Sequence, residues 1–389
     1  MLFNCQSILS QSISIVNSFF EKLDIICSFA LFALTKIFSA NIFYIKLLYR
    51  GDTMILRVPA YYNRFRCIAD KCTDNCCIGW EIDIDAETAE YYASVGGAFG
   101  ERLKDNISHE NSFILRNERC PFLNGGNLCD IIINCGEEHL CQICRDHPRY
   151  FEWYGDIKEG GIGLSCEEGA RLILTDDTHT VAESLTDEEE EPVDRDLFTF
   201  LTKARDEIFF LLDGEGTLKE KLCSVLLFAD ELQFYTDNRE TGEEYIPSDG
   251  IKEADISDII SLYSDFEPID SEWEKELSSL ISGDGALSAP TAEEEKYMLN
   301  LCRYFIWRYF LKGVFDEEIL SKVKLAVVSV LFIKCMTKGD YSLKGWIEKS
   351  KLYSKQMEYS DENRERFYDY TYEKDCLCVA SLLGVIRKS

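Results

Sequence analysis

The chain has 389 residues, enough for two or three domains with substantial cores, and carries 41 basic against 70 acidic side chains, a net charge of −29. That balance argues against a nucleic-acid partner, because a phosphate backbone would be repelled and no basic patch offsets the excess. Seventeen cysteines, several of them adjacent or two apart and odd in total, fit free thiols in a reducing cytoplasm better than a disulfide framework.

Residues 1–53 stand apart. Ile25 to Thr35 is an uncharged run of eleven residues, broken by Lys36 before the shorter run Ile37 to Ile45. Neither run spans a bilayer alone, and no secretory signal is evident. The segment is expected to be a mis-called start, with translation beginning at Met54, or at most a weak membrane anchor.

Residues 54–175 read as a cysteine-rich domain. Cys67, Cys72, Cys76 and Cys77 fall within eleven residues, separated by charged and turn-forming side chains, and Cys120, Cys129, Cys135, Cys141, Cys144 and Cys166 follow. Sulfurs spaced in this way suit a metal better than a packed core. One zinc or one cubane cluster takes four protein ligands, so the excess predicts two centres, or one centre plus reactive thiols. Cys76 and Cys77 would point to opposite sides of an extended backbone. Cys141 and Cys144 sit one turn apart, which suits a shared metal or a redox dithiol. His139 and His147 bracket that pair and read as ligands, proton carriers, second-layer hydrogen-bond partners or plain solvated side chains. Arg145 and Arg149 would bind an anion or balance thiolate charge. Trp80 to Asp85 alternates apolar and acidic residues like a half-buried strand, and Asp85 is placed to N-cap a helix over 86–94. Asn124 to Asn127 and Glu159 to Gly163 read as turns.

Residues 176–192 hold eight acidic side chains and no lysine or arginine, which predicts a solvated acidic linker and a domain boundary. Residues 193–389 turn to helical periodicity. Leu197, Leu201, Ile208, Leu211 and Leu212 share a face, as do Leu218, Leu222, Val225 and Leu226 after a break at Asp213 to Gly216. Met298, Leu301, Phe305 and Tyr309 form a stripe, and Val323 to Ile333 reads as a buried helix. Cys223, Cys302, Cys335, Cys376 and Cys378 are expected to be ordinary buried thiols. The fold class is therefore α-rich, α+β at most: a small cysteine-rich metal-bound domain followed by an all-α helical domain. Asp213 to Gly216 lacks the third glycine of a dinucleotide loop. The C-x3-C-x2-C triad of radical enzymes is also missing, since Gly79 stands third after Cys72 and Cys76.

The order Cys67-x4-Cys72-x3-Cys76-Cys77-x-Gly79-Trp80, then Cys120-Pro121-Phe122-Leu123, Leu140-Cys141-x-x-Cys144-Arg145 and Ser165-Cys166 resembles the flagellin lysine-N-methylase family. Arg308 to Lys312 and Tyr353 to Ser360 are similar to later family segments. The resemblance implies an enzyme that moves a methyl group from S-adenosylmethionine to lysines of flagellin, with an iron-sulfur cluster, 4Fe-4S in type, or zinc as the alternative. Its candidate ligands are Cys67, Cys72, Cys76, Cys77, Cys120, Cys129, Cys141, Cys144 and Cys166. No catalytic residue is assigned, although a tyrosine or carboxylate must take the lysine proton. A non-enzymatic zinc- or iron-binding scaffold is the other reading. Two departures from the family pattern stand out: Glu167 where proline follows the last cysteine, and Tyr359 where histidine follows the late glutamate.

Overall fold

The computed structural model describes residues 54–73, 76–79, 81–176, 178, 181–186, 192–239, 243–247, 250–283 and 287–388. The expected anchor or mis-called start at 1–53 lies outside the described residues, as does Trp80. Among the described residues, no helix is long and apolar enough to cross a membrane.

Strand β1 (Met54–Pro59) opens the described chain, and the cysteine-rich segment then intervenes before the sheet resumes. That segment holds α1 (Ala86–Ser94), α2 (Gly97–Asp105), α3 (Asp130–Cys135) and α4 (Gln142–Asp146). The expected cap is present: Asp85 accepts the Thr88 N–H at 2.9 Å. Ile82 and Ile84 are buried as the alternation requires. Only an isolated bridge, Asp83 to Ser112, forms there, because the neighbouring chain is a turn and no second strand runs alongside. Strands β2 (Arg149–Tyr154) and β3 (Ile157–Ile162) make a hairpin, followed by α5 (Glu167–Thr175) and β4 (Val181–Thr186). The sheet order is β2-β3-β1-β4. β1 runs parallel to β3, with Ile55 opposite Ile157, and antiparallel to β4, with Met54 opposite Thr186.

Strand β4 corrects the reading of 176–192 as a wholly solvated linker. Backbone pairing to β1 satisfies its amides, and charge pairing helps: Arg57 meets Glu183 at 2.8 Å and Arg64 meets Asp176 at 3.0 Å. Acidic residues tolerate an edge strand when cations on the neighbouring strand face them.

The helical half comprises α6 (Arg195–Asp213), α7 (Leu218–Asp237), α8 (Ile256–Leu262), α9 (Ser271–Ser282), α10 (Ala292–Tyr309), the short α11 (Gly313–Asp316), α12 (Ile319–Met336), α13 (Leu343–Glu358), α14 (Asp361–Glu373) and α15 (Val379–Lys388). Each long helix starts where a side chain can satisfy its orphan amides: Thr217 and Thr291 form capping boxes with Glu220 and Glu294. All residues of α12 are buried, so it is the central rod of the domain. Its lysines survive there through partners. Lys322 reaches Asp316 at 2.7 Å, and Lys334 reaches Glu294 at 2.5 Å. Cys223, Cys302 and Cys335 are buried as expected, whereas Cys376 and Cys378 are only half-buried.

The apolar cores divide differently from the chain. Ile55, Tyr61, Phe65, Ile162 and the buried face of α5 pack into one core with the helical half. A second core, built from Ile82, Ile84, Tyr92, Leu103, Phe113, Phe122 and Ile131, belongs to residues 82–144. The cysteine-rich segment is thus an insertion between β1 and β2, and the sheet belongs to the helical body. The expected boundary near 176–192 follows the charge run and not the packing.

Candidate functional site

The cysteines gather in two groups. In the first, Cys77, Cys120, Cys129, Cys141 and Cys144 border the second core. Two short turns bring them together: Cys120 N–H donates to the Cys77 carbonyl at 2.8 Å, and Cys129 sits opposite Leu123. Asp85 also reaches across, accepting the Gln142 N–H at 2.8 Å beside Cys141. Backbone amides point at the sulfurs two and three residues back, from Phe122 and Leu123 to Cys120 and from Ile131 and Ile132 to Cys129. Burial pushes the Cys120 thiol up to about 11, and these amides act against that shift. A hydrogen bond from Cys144 lowers the Cys141 thiol, while the same bond and then burial raise Cys144. A hydrogen bond to Cys76 and then burial likewise raise Cys77.

The second group lies at the start of α5. Cys166 is its N-cap residue, with the Glu168 and Gly169 amides directed at its sulfur and Cys72 and Cys76 close enough to act on it. Burial pushes Cys166 up to about 12. Glu167 gathers the Cys72 turn: its Oε2 accepts the Thr73 N–H at 2.7 Å, the Thr73 hydroxyl at 2.5 Å and the Cys72 thiol at 3.6 Å. Lys351 of α13 stands 3.7 Å from the same oxygen. Cys67 is exposed, its sulfur accepting the Ala69 N–H at 3.4 Å.

Among the described residues, no group of three or more histidine, cysteine, aspartate or glutamate side chains is arranged so that it could hold a metal ion. The chemistry of the donors still suits one, because amides aimed at sulfur favour the thiolate that a soft metal needs. The flanking residues take other roles. Tyr91 stacks on His139 at 3.9 Å between ring centres and hydrogen-bonds Cys135. Burial lowers His147 to about 4, so it is neutral at physiological pH. Arg149 lies over the rings of Tyr62 and Phe65, at 5.5 and 5.3 Å.

Beside Cys166, on the helical side, stands a constellation that spacing alone does not reveal. Glu358, at the end of α13, has a side chain only 2% exposed. It accepts the hydroxyls of Tyr304 at 3.0 Å, Tyr309 at 3.1 Å and Ser354. Arg308 approaches it to 3.5 Å, donates to the Tyr304 hydroxyl at 2.7 Å and covers the Tyr150 ring at 4.2 Å. Burial opposes the Arg308 charge, and Glu358 together with Tyr304, Tyr309 and Tyr150 more than offsets that cost, so the guanidinium stays protonated. Burial holds the Tyr150, Tyr304 and Tyr309 hydroxyls well above the ordinary tyrosine range, so they are neutral donors. The Tyr150 hydroxyl is fully buried and has no hydrogen-bond partner among the described residues. The link to the cysteines is direct: Tyr359, half exposed, shares a 2.7 Å hydrogen bond with Ser165. Leu164 N–H meets the Tyr304 hydroxyl at 3.1 Å.

Residues 274–385 match a family model described as the FliB lysine N-methylase C-terminal domain. The chain is 30% identical over 128 residues to the flagellar biosynthetic protein FliU of Salmonella muenchen, a stretch covering 30% of this chain and 76% of that protein. It belongs to the flagellin lysine-N-methylase family. Lysine-N-methylases of Salmonella typhimurium and Salmonella choleraesuis are 30% and 31% identical over 128 residues, covering 30% of this chain and 32% of each of those proteins. The aligned stretch thus spans about a third of those two methylases. No solved structure matches the chain. The stretch that the methylase model matches contains Tyr304, Arg308, Tyr309, Glu358 and Tyr359, whereas Tyr150, Ser165 and Cys166 precede it. Both departures from the family pattern fall beside Cys166: Glu167 ties it to the Cys72 turn, and Tyr359 ties its neighbour Ser165 to the helical body.

Proposed function

We propose that the protein is a protein-lysine N-methyltransferase that takes its methyl group from S-adenosylmethionine and acts on flagellin in the cytoplasm. Membership of the methylase family carries this reading. The buried carboxylate among tyrosines supports it, because a lysine ammonium, with an ordinary pKa of about 10.4, must lose a proton before it can attack. S-adenosylmethionine supplies an electrophilic methyl on a sulfonium. The fifteen described cysteines form no disulfide with one another, in keeping with a reducing compartment.

We further propose that the cysteine-rich segment holds an iron-sulfur centre, with zinc as the alternative. Its ligands would come from Cys72, Cys76, Cys77, Cys120, Cys129, Cys141, Cys144 and Cys166, with exposed Cys67 the weakest candidate of the original set. The support is chemical, since thiols outnumber nearby histidines and receive backbone amides. The test is incubation of anaerobically purified protein with labelled S-adenosylmethionine and flagellin, followed by mass spectrometry of lysine residues and assay of iron and acid-labile sulfide. Methylated lysines support the enzyme. Stoichiometric zinc with neither methyl transfer nor donor binding favours a metal-binding scaffold.

A further inference from the structure

Tyr150 presents an oddity that packing does not explain. A buried hydroxyl without a partner costs about 1–3 kcal/mol, and a phenylalanine would fill the same space without that cost. The fold nevertheless makes room for the ring. On the paired strand, a Cβ at Gly161 would collide with the Tyr150 hydroxyl, so a glycine is required opposite it. The hydroxyl lies where Tyr61, Arg308, Glu358 and Tyr309 all act on it. Access exists on this side only in part: the ring of Tyr150 is half-buried and the Arg308 side chain is 16% exposed, whereas Glu358 beneath them is 2% exposed.

Resting on the methyltransferase reading, we propose that the substrate lysine nitrogen enters beside Arg308, is received by the orphan Tyr150 hydroxyl, and passes its proton to Glu358. The tyrosine faces that hold a guanidinium at 4.2 Å also suit an alkylammonium. The hydroxyl oxygen of Tyr150 has lone pairs to accept an ammonium N–H, which the neighbouring neutral tyrosines, already donating to Glu358, complement. In the reaction the ammonium N–H bond breaks and its proton goes to the Glu358 carboxylate, leaving a lone pair on nitrogen. That pair forms the bond to the methyl carbon as the carbon–sulfur bond of the sulfonium donor breaks. The bonding electrons go to sulfur, which becomes a neutral thioether, and nitrogen becomes a methylammonium. Arg308 is a positioning residue, standing 3.5 Å from the carboxylate and donating to the Tyr304 hydroxyl that the carboxylate accepts.

The test compares the full chain with Tyr150→Phe and Glu358→Gln in methyl transfer to flagellin and in calorimetric binding of a lysine-containing flagellin peptide. Among the described residues Tyr150→Phe breaks no hydrogen bond, so its melting temperature should equal or exceed that of the original. Its transfer rate should nevertheless fall about tenfold or more, the worth of a hydrogen bond to a charged group. Glu358→Gln should lose about a hundredfold or more in kcat, the scale of a missing general base. Full transfer activity in Tyr150→Phe overturns the assignment while leaving the enzyme reading intact. A chain that neither binds the peptide nor transfers methyl overturns both. If Glu358→Gln misfolds, Tyr150→Phe alone decides the matter.

Discussion

The ion pair between Arg205 of α6 and Glu159 of β3 fixes the sheet to the helical body, and it offers a quantitative test of that architecture. Both side chains are nearly inaccessible, at 3% and 5% exposure. They meet as a fork, Nη1 to Oε2 at 2.6 Å and Nη2 to Oε1 at 2.7 Å. The guanidinium also lies 4.3 Å from the Trp307 ring, whose indole N–H donates to the Gly160 carbonyl at 3.0 Å. Replacing Arg205 by methionine keeps most of the volume but strands a buried carboxylate, which costs about 3–5 kcal/mol. That is a large part of the 5–15 kcal/mol typical of a folded domain. Replacing both Arg205 and Glu159 by methionine removes the stranded charge, and stability should return to within about 1 kcal/mol of the original. Urea unfolding followed by tryptophan fluorescence measures all three, and the coupling is the difference between the double variant and the sum of the singles. A single-variant loss below about 1 kcal/mol, or a double variant no better than Arg205→Met, would refute a sheet locked to the helices by this pair. The consequence reaches the candidate site, because β3 carries Gly161 opposite Tyr150.

Other outcomes follow from individual contacts. Glu231 is 2% exposed, and burial followed by the Asp230 charge raises its carboxyl from the ordinary 4.5 to about 7. A carboxyl raised on folding contributes stability fully present below pH 4.5 and lost as pH climbs through 7, so Glu231→Gln should remove that decline and raise the melting temperature at pH 8, by up to about 3 kcal/mol in stability. Asp85→Ala removes the cap of α1 and the acceptor for Gln142 N–H, and should cost about 1–2 kcal/mol by chemical denaturation. Ser in place of Cys129 or Cys141 should abolish bound iron and sulfide, whereas Ser at buried Cys335 should leave metal content unchanged and cost about 1 kcal/mol. Tyr359→Phe loses one half-exposed hydrogen bond to Ser165, so stability should change by less than about 1.5 kcal/mol while any effect on transfer reports how firmly the Cys166 turn must be held.

The helical half was legible because its signals are local. The Leu197 to Leu212 face, the Met298 to Tyr309 stripe and the buried run at Val323 to Ile333 all lie on helices with those residues inside, apart from half-buried Leu211. The Asp85 cap was legible for the same reason. Strand β4 was not, because its acidic composition reads as a solvated run until Arg57 and the β1 amides are seen beside it. Nor was the core partition, since β1 and β3 pair across about a hundred intervening residues and no periodicity records that distance. The tyrosine cluster escaped for a related reason. Tyr150, Tyr304 and Glu358 come from a strand and two helices far apart in sequence, and twenty tyrosines and seventy acids leave no spacing to single them out.

Two stretches that the resemblance covers meet in the fold. Arg308 to Lys312 and Tyr353 to Ser360 have nothing in common as sequences, yet the fold brings Arg308 within 3.5 Å of Glu358. The two departures then acquire a physical sense. A proline at 167 would supply no side-chain acceptor, whereas Glu167 accepts an amide, a hydroxyl and a thiol from the Cys72 turn. A histidine at 359 would be shorter than the tyrosine that now reaches Ser165. Cys166 is therefore held in this chain from both flanks by side chains that the family pattern does not supply, one binding the cysteine turn and the other binding the helical body. Replacing Glu167 by Pro should free the Cys72 turn and alter metal content without disturbing the Glu358 cluster, because its recorded partners are Cys72, Thr73 and Lys351. Iron and sulfide assay beside urea unfolding checks this, and a loss of global stability above about 3 kcal/mol with unchanged metal would mean that the contact serves the fold and not the cysteines.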